Sequence, residues 1–147
     1  DGYSCGGYQG GTPPITNVID KFAFGSNANA TDHGDLSVTR GYTSGHSSTT
    51  HGYTAGGYLP SPDTYHNTID KFAFSSNTTA SDHGDLSAAK SDLSGQSSTT
   101  DGYISGGYIA AATEINVIDK FAFSSNTTAS DHGDLSVARW GATGTQY

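Results

Sequence analysis

Asp32-His33-Gly34-Asp35 sets two carboxylates three residues apart around an imidazole and a glycine, and the same four letters return at Asp82 to Asp85 and Asp131 to Asp134. Such a set offers oxygen ligands to calcium or a ring nitrogen to a transition metal. Its spacing matches neither an EF-hand loop nor a zinc signature. On an alternating strand the two aspartates face opposite sides unless the glycine opens a bulge. The preferred reading is structural, with each Asp accepting hydrogen bonds between repeats, from backbone or from the basic residues that recur in phase with it: Lys21, Lys71, Lys120 and Arg40, Lys90, Arg139. Asp20, Asp70 and Asp119 read as turn or inter-repeat acceptors in the same way. His33, His83 and His132 repeat with the scaffold and read as hydrogen-bonded structural residues. No cofactor or metal site is expected; calcium is the one ion the motif leaves open.

Catalysis finds little support. Ser, His and Asp are so frequent that chance triads are inevitable, and no nucleophile elbow, phosphate loop or zinc signature is present. Glycan cleavage needs two separated carboxylates, and the variable stretches offer Asp63, Asp92 and Glu114 alone. The chain is expected not to be an enzyme. Cys5 is the only cysteine, which excludes a disulfide within the chain, and its counterparts Ala55 and Ser105 mark a packed strand position. Asn29-Ala-Thr31, Asn77-Thr-Thr79 and Asn126-Thr-Thr128 match the N-glycosylation pattern, which carries meaning only in a secreted eukaryotic protein.

Charge narrows the partners. Six basic residues against fourteen acidic ones leave a formal charge of −8, which disfavours nucleic acid and anionic membranes. No apolar run spans a bilayer and no signal segment opens the sequence, so a soluble, processed chain or a piece of a longer one is expected.

The elements that must position these residues come from repetition. "DKFAFSSNTTASDHGDLS" at 70 to 87 returns letter for letter at 119 to 136, with a near copy at 20 to 37. "GYSCGGY", "GYTAGGY" and "GYISGGY" begin at 2, 52 and 102, a spacing of 50 residues. One domain, 1–147, thus divides into repeats at about 1–45, 46–95 and 96–147. Each period predicts four short strands, in the second repeat "HSSTT" (46 to 50), "YTAGGY" (53 to 58), "NTIDKFAF" (67 to 74) and "TTASDHGDL" (78 to 86), with His-Gly or Asp-Gly as the first hairpin turn.

In the third segment Ile69 and Ala73 point one way while Phe72 and Phe74 point the other, so the sheet needs a neighbour on both faces. Radial repetition supplies one, and the expected fold is all-β: a β-propeller of four-stranded antiparallel blades, three per chain, with a stacked solenoid as the rival. Alternating strand direction gathers the constant turns on one face and the variable loops on the other. The variable face holds "QGGTPPIT", "LPSPDTYH" and "IAAATEI" after the second strand and "GYTSG", "SDLSG" and "WGATG" after the fourth. Tyr42, Tyr65, His66 and Trp140 are its candidate ligand contacts, with Leu93 beside them. Aromatics among Ser, Thr, Asp and Gly suit sugars and protein loops; the alternative is that Tyr42 and Trp140 merely shield the edges of adjacent blades.

The order of "YTAGG", an "ID" before an aromatic strand, and a later basic residue in "DLSVAR" resembles the kelch repeat across the whole chain. It departs from kelch where a Trp usually follows the third strand, a place held here by Ala30, Ala80 and Ala129. The wording is also similar to kelch-like repeats of marine phage tail-fibre and other virion proteins. That resemblance implies an extracellular or virion-surface binding module for a cell-surface glycan or protein receptor, or else a structural surface protein. Three blades close no ring, whereas two copies make six. Residues Thr145 to Tyr147 are then expected to pair as a short strand ahead of Asp1 of a partner, a homodimer being favoured over a longer array.

Overall fold

The computed structural model describes residues 1–11, 14–110 and 113–147, and all regular structure among them is β. Strands β1 (Gly2–Tyr8), β2 (Ile15–Phe22) and β3 (Thr31–Asp35) form a first antiparallel sheet. The second repeat supplies β4 (Ser44–Ser47), β5 (His51–Ala55), β6 (Tyr58–Pro60), β7 (Asp63–Tyr65), β8 (Thr68–Ala73) and β9 (Ser81–Asp85). Strand β10 (Lys90–Ser91) closes the second repeat, and the third supplies β11 (Ser94–Ser97), β12 (Asp101–Ser105), β13 (Tyr108–Ile109), β14 (Thr113–Glu114), β15 (Val117–Ala122) and β16 (Ser130–Asp134). The main sheets run β4-β5-β8-β9 and β11-β12-β15-β16, so the expected four segments pair in chain order.

Two small sheets lie where the sequence predicts plain loops. β6 pairs β7, and β13 lies between β10 and β14. The end of the preceding repeat joins each one: Gly41 bridges Tyr58, and Ser91 pairs Tyr108. Thr12, Pro13, Ala111 and Ala112, parts of two predicted variable loops, lie outside the described residues.

The first hairpin turn differs from expectation. His51 and Gly52 belong to β5, and the turn is made one step earlier, where Ser48 N donates to His51 O at 2.9 Å. Ser48 Oγ also accepts from the backbone N–H groups of Thr50 and His51, at 3.4 and 3.1 Å. Gly52 is required for another reason: a Cβ there would collide with the ring of Phe72, which crosses over the strand from the paired position on β8.

The glycine does open a bulge. Pairing of β8 with β9 slips between Thr68 and Asp70, opposite His83 and Gly84. Gly84 has φ of 115°, and a Cβ on it would lie 2.5 Å from the Thr127 carbonyl oxygen of the next repeat. Asp82 Oδ1 accepts from Gly84 N at 2.7 Å, so this carboxylate bonds locally and not between repeats as expected.

Packing is a face-to-face contact between successive repeats. Ile19, Leu36, Phe72 and Ala80 form one core cluster between the first and second sheets, with Tyr3 and Phe74 packed against it. Tyr53, Ile69, Leu86, Ile104, Phe121 and Ala129 anchor the other, between the second and third. Sheet two is thus covered on both sides, as the two-faced apolar pattern of its third segment requires. Tyr3 stacks on Phe74 with centroids 4.8 Å apart, and Tyr53 on Phe123 at 4.6 Å. Ala80 and Ala129 supply no ring, so these tyrosine–phenylalanine stacks provide the aromatic packing between sheets.

A buried ion pair accompanies each contact. Arg40 Nη2 lies 3.2 Å from Asp70 Oδ2, and Lys90 Nζ lies 3.0 Å from Asp119 Oδ2, all four side chains being fully buried. Lys90 meets the distance of an ion pair although its approach falls short of a hydrogen bond. Asp70 also accepts from Ser37 N and Oγ, at 2.8 and 2.7 Å. Ser87 serves Asp119 in the same way. His33 Nε2 donates to Ala73 O and His83 Nε2 to Ala122 O, the structural histidine role read from the repeat. Removing one partner of such a pair strands a buried charge. Asp70→Ala is therefore expected to lower unfolding free energy by about 3–5 kcal/mol, read as an earlier urea midpoint at unchanged slope.

Candidate functional site

The antiparallel meander sends the turns at 48–50 and 74–80 to one end of the second sheet and the loops at 56–67 and 86–93 to the other. On the loop side the chain assembles a run of tyrosines. Tyr8 and Tyr42 have ring centroids 6.2 Å apart, Tyr42 and Tyr58 6.3 Å, and Tyr58 and Tyr65 4.9 Å. Tyr8 is 61% exposed and Tyr42 47%, while Tyr58 and Tyr65 are partly buried beneath them.

Of the residues the sequence nominates, Tyr42 and Tyr65 come together through Tyr58. Trp140 belongs to a separate pair with Tyr108, at 5.5 Å in an edge-on arrangement, and is 55% exposed. His66 is only half available, because its backbone is tied to Gly57 and Lys90 and its Nε2 is buried. Burial lowers its pKa, the Arg40 charge adding to that effect and Asp70 opposing it. Leu93 is no contact residue: it is 7% exposed and belongs to the core. Tyr8, Tyr58 and Tyr108 were missed because they close the constant "GGY" motif. Their signal was position, each tyrosine being the first residue after the double glycine and the last before the variable stretch.

Carboxylates accompany the rings. Asp63 raises the pKa of Tyr58 by holding its hydroxyl proton. Tyr108 is raised by desolvation and by Glu114, whose Oε1 accepts from the Tyr108 hydroxyl at 3.4 Å. The face therefore offers aromatic planes beside fixed acceptors. Among the described residues no group of three or more His, Cys, Asp or Glu is arranged to hold a metal ion.

Tyr42 is held in a left-handed conformation, φ 57°, and its repeat equivalents Asp92 and Gly141 share it at 56° and 63°. Backbone bonds link the three: Asp92 N donates to Tyr42 O at 2.9 Å and Gly141 N to Asp92 O at 3.0 Å. For a tyrosine this backbone costs about 1–2 kcal/mol, strain of the kind that collects at binding sites. Tyr42→Gly, which puts the third repeat's residue in place, is expected to be more stable than Tyr42→Ala by about 1 kcal/mol in urea denaturation.

A groove of about 560 Å³ runs along β1 and β4, lined by Gly2, Tyr3, Cys5, Gly45, His46 and Ser47 among others. Cys5 is partly buried there, and desolvation raises its thiol pKa. His46 is buried, its Nδ1–H donating to Gln96 O and its Nε2 accepting from Ser44 Oγ, both at 3.0 Å. Burial lowers its pKa from 6.5 to about 4, with the bond to Gln96 opposing. The folded state then refuses a proton that the unfolded state accepts, so stability is intact above pH 6.5 and falls as pH drops toward 4. Gln96 occupies the same place in the next repeat, and its Nε2 donates to Ser94 Oγ at 2.8 Å. His46→Gln should therefore lose about 2 kcal/mol less than the parent between pH 7 and pH 4.5 in urea titrations at the two values.

No protein-family model matches this chain, and no curated protein matches it either.

Proposed function

We propose that the chain is a noncatalytic binding module, a kelch-like β-propeller portion that recognises a cell-surface glycan or protein receptor through its variable-loop face, at an extracellular or virion surface. The observation that carries this reading is the run Tyr8, Tyr42, Tyr58 and Tyr65, partly exposed and partly strained, on the side where the repeats differ. Sugar rings present a C–H face that stacks on such planes and hydroxyls that donate to carboxylates such as Asp63 and Glu114. Fold-level support comes from the middle sheet, covered on both faces by its neighbours, as a radial array of blades demands.

A structural surface protein is the second reading, favoured by the exposed aromatics Phe22 and Phe24 at the first sheet, away from the loop face. A glycan array followed by binding to intact cells separates the two. Tyr42→Gly and Tyr65→Ala are expected to weaken binding at least tenfold, while Thr99→Ala on the opposite turn leaves it unchanged. Absence of saturable binding on both arrays and cells would sink the recognition reading, and release of reducing ends from polysaccharide would replace it with an enzyme.

A further inference from the structure

The contact between successive repeats is built twice inside the chain, and the two halves of a third contact stand open at its two end sheets. Arg40 pairs with Asp70 and Lys90 with Asp119, each basic residue reaching the aspartate of the next repeat. The remaining members of the two series, Arg139 in the third repeat and Asp20 in the first, are both exposed. Among the described residues the Arg139 side chain bonds only locally: Nε donates to Val137 O at 3.2 Å and Nη2 to Ser136 Oγ at 3.4 Å. Ser136 is the counterpart of Ser37 and Ser87, which donate to the buried aspartates.

The aromatic half repeats the pattern. Tyr103 keeps its ring contact with His132 at 5.1 Å, as Tyr53 does with His83 at 5.0 Å, but stacks on no phenylalanine among the described residues. The phenylalanine left over is Phe24, 77% exposed on the first repeat. Close backbone approach is open as well. A Cβ on Gly34 or Gly84 would run into the carbonyl of Thr78 or Thr127, whereas on Gly133 it would meet nothing within 4 Å.

Strand pairing is the third element. β5 and β12 each have a partner on both sides, while β1 is an edge strand paired with β2 alone. Residues 143–146 form no strand, yet they lie against β11 as β11 lies against β4: Ser97 N donates to Gln146 Oε1, and Ser47 N to Ser97 Oγ. Ser44 pairs Ala55 and Ser94 pairs Ser105. The same register applied to 143–146 sets Thr143 opposite Cys5, Gly144 opposite Ser4, Thr145 opposite Tyr3 and Gln146 opposite Gly2. The groove along β1 is lined by Gly2, Tyr3 and Cys5 on this edge and also by Gln146.

We propose that two copies of the chain bind head to tail, residues 143–146 of each entering the groove beside β1 of the other while Arg139 reaches Asp20 and Tyr103 stacks on Phe24. Opposite charges, matching aromatic planes and a matching strand edge select a second copy, because each end lacks what the other end presents. One chain cannot satisfy both of its own ends with three repeats, whereas two chains make six, within the range that closes a ring with two identical contacts. Closure at two copies rests on the propeller reading above; the contact itself does not.

Cysteine crosslinking tests this directly. Residues directly opposite on antiparallel strands lie about 4.5–5.5 Å apart at Cα, within disulfide range. Thr143→Cys under mild oxidation is expected to join the native Cys5 of a second copy and run at twice 15.1 kDa without reductant, a band abolished by adding Cys5→Ser. Light scattering of the unmodified chain should give the same doubled mass. Asp20→Arg and Arg139→Asp should each shift the mass toward one copy at unchanged circular dichroism, and the double swap should restore it. A single-copy mass for the parent chain, or single swaps that leave the doubled mass untouched, would overturn the proposal. A ladder of higher multiples would overturn the two-copy ring and show an open array, with the propeller reading failing alongside it. Glycan binding lost in Tyr42→Gly at an intact doubled mass concerns the loop face alone.

Discussion

Arg40 buried against Asp70, and Lys90 against Asp119, constrain everything else in this molecule. A charge taken out of water is tolerated only with a partner and hydrogen bonds in place, so each pair dictates how one sheet must sit on the next. Compared with apolar residues of similar size, such pairs add little net stability. Their effect is geometric: a sheet shifted by one residue along its neighbour would strand the aspartate among the phenylalanines. The tyrosine–phenylalanine stacks then supply the apolar burial that makes the arrangement favourable.

Constancy and variation follow from that constraint. Ser37 and Ser87, the bulge glycines, the histidines that bond the neighbouring carbonyls, and the aspartates all belong to the contact between sheets. Any change there propagates to two sheets at once. At the loop positions Tyr42, Asp92 and Gly141 the residue differs between repeats although the backbone conformation is the same. A strained tyrosine is kept where repeat three uses glycine, and the cost is borne by a well-packed scaffold beneath it.

The proposed adhesion through one face and the proposed self-association through the sheet faces would use different parts of the chain and need not compete. Under the proposed reading the tyrosine run lies at the loop ends, whereas Arg139, Asp20 and the edge of β1 lie along the flanks of the sheets. A two-copy assembly would then present two tyrosine faces on the same side, and multivalent ligands gain avidity from such doubling without any new contact.

The repeat length, the strand order and the two-faced apolar pattern were legible in the sequence because period-two alternation and turn residues are local signals. Locality also explains the errors. Asp-Gly and His-Gly look like turns to a short-range reading, but Gly52 is glycine because Phe72 crosses it from another strand. Leu93 sits among loop residues in the sequence, yet the core of two sheets claims it. The carboxylate of Asp82 serves its own bulge, while Asp70, read as either a turn or an inter-repeat acceptor, carries the contact with the preceding repeat. Which tyrosines meet was likewise undecided, since Tyr8, Tyr42, Tyr58 and Tyr65 are brought together across two repeats. The sequence by itself determined the repeating strands and the sides on which constancy and variation fall. Tertiary structure alone decided which charges pair, which glycines are forced and which aromatics share a surface, because those depend on distances between side chains on different strands and loops.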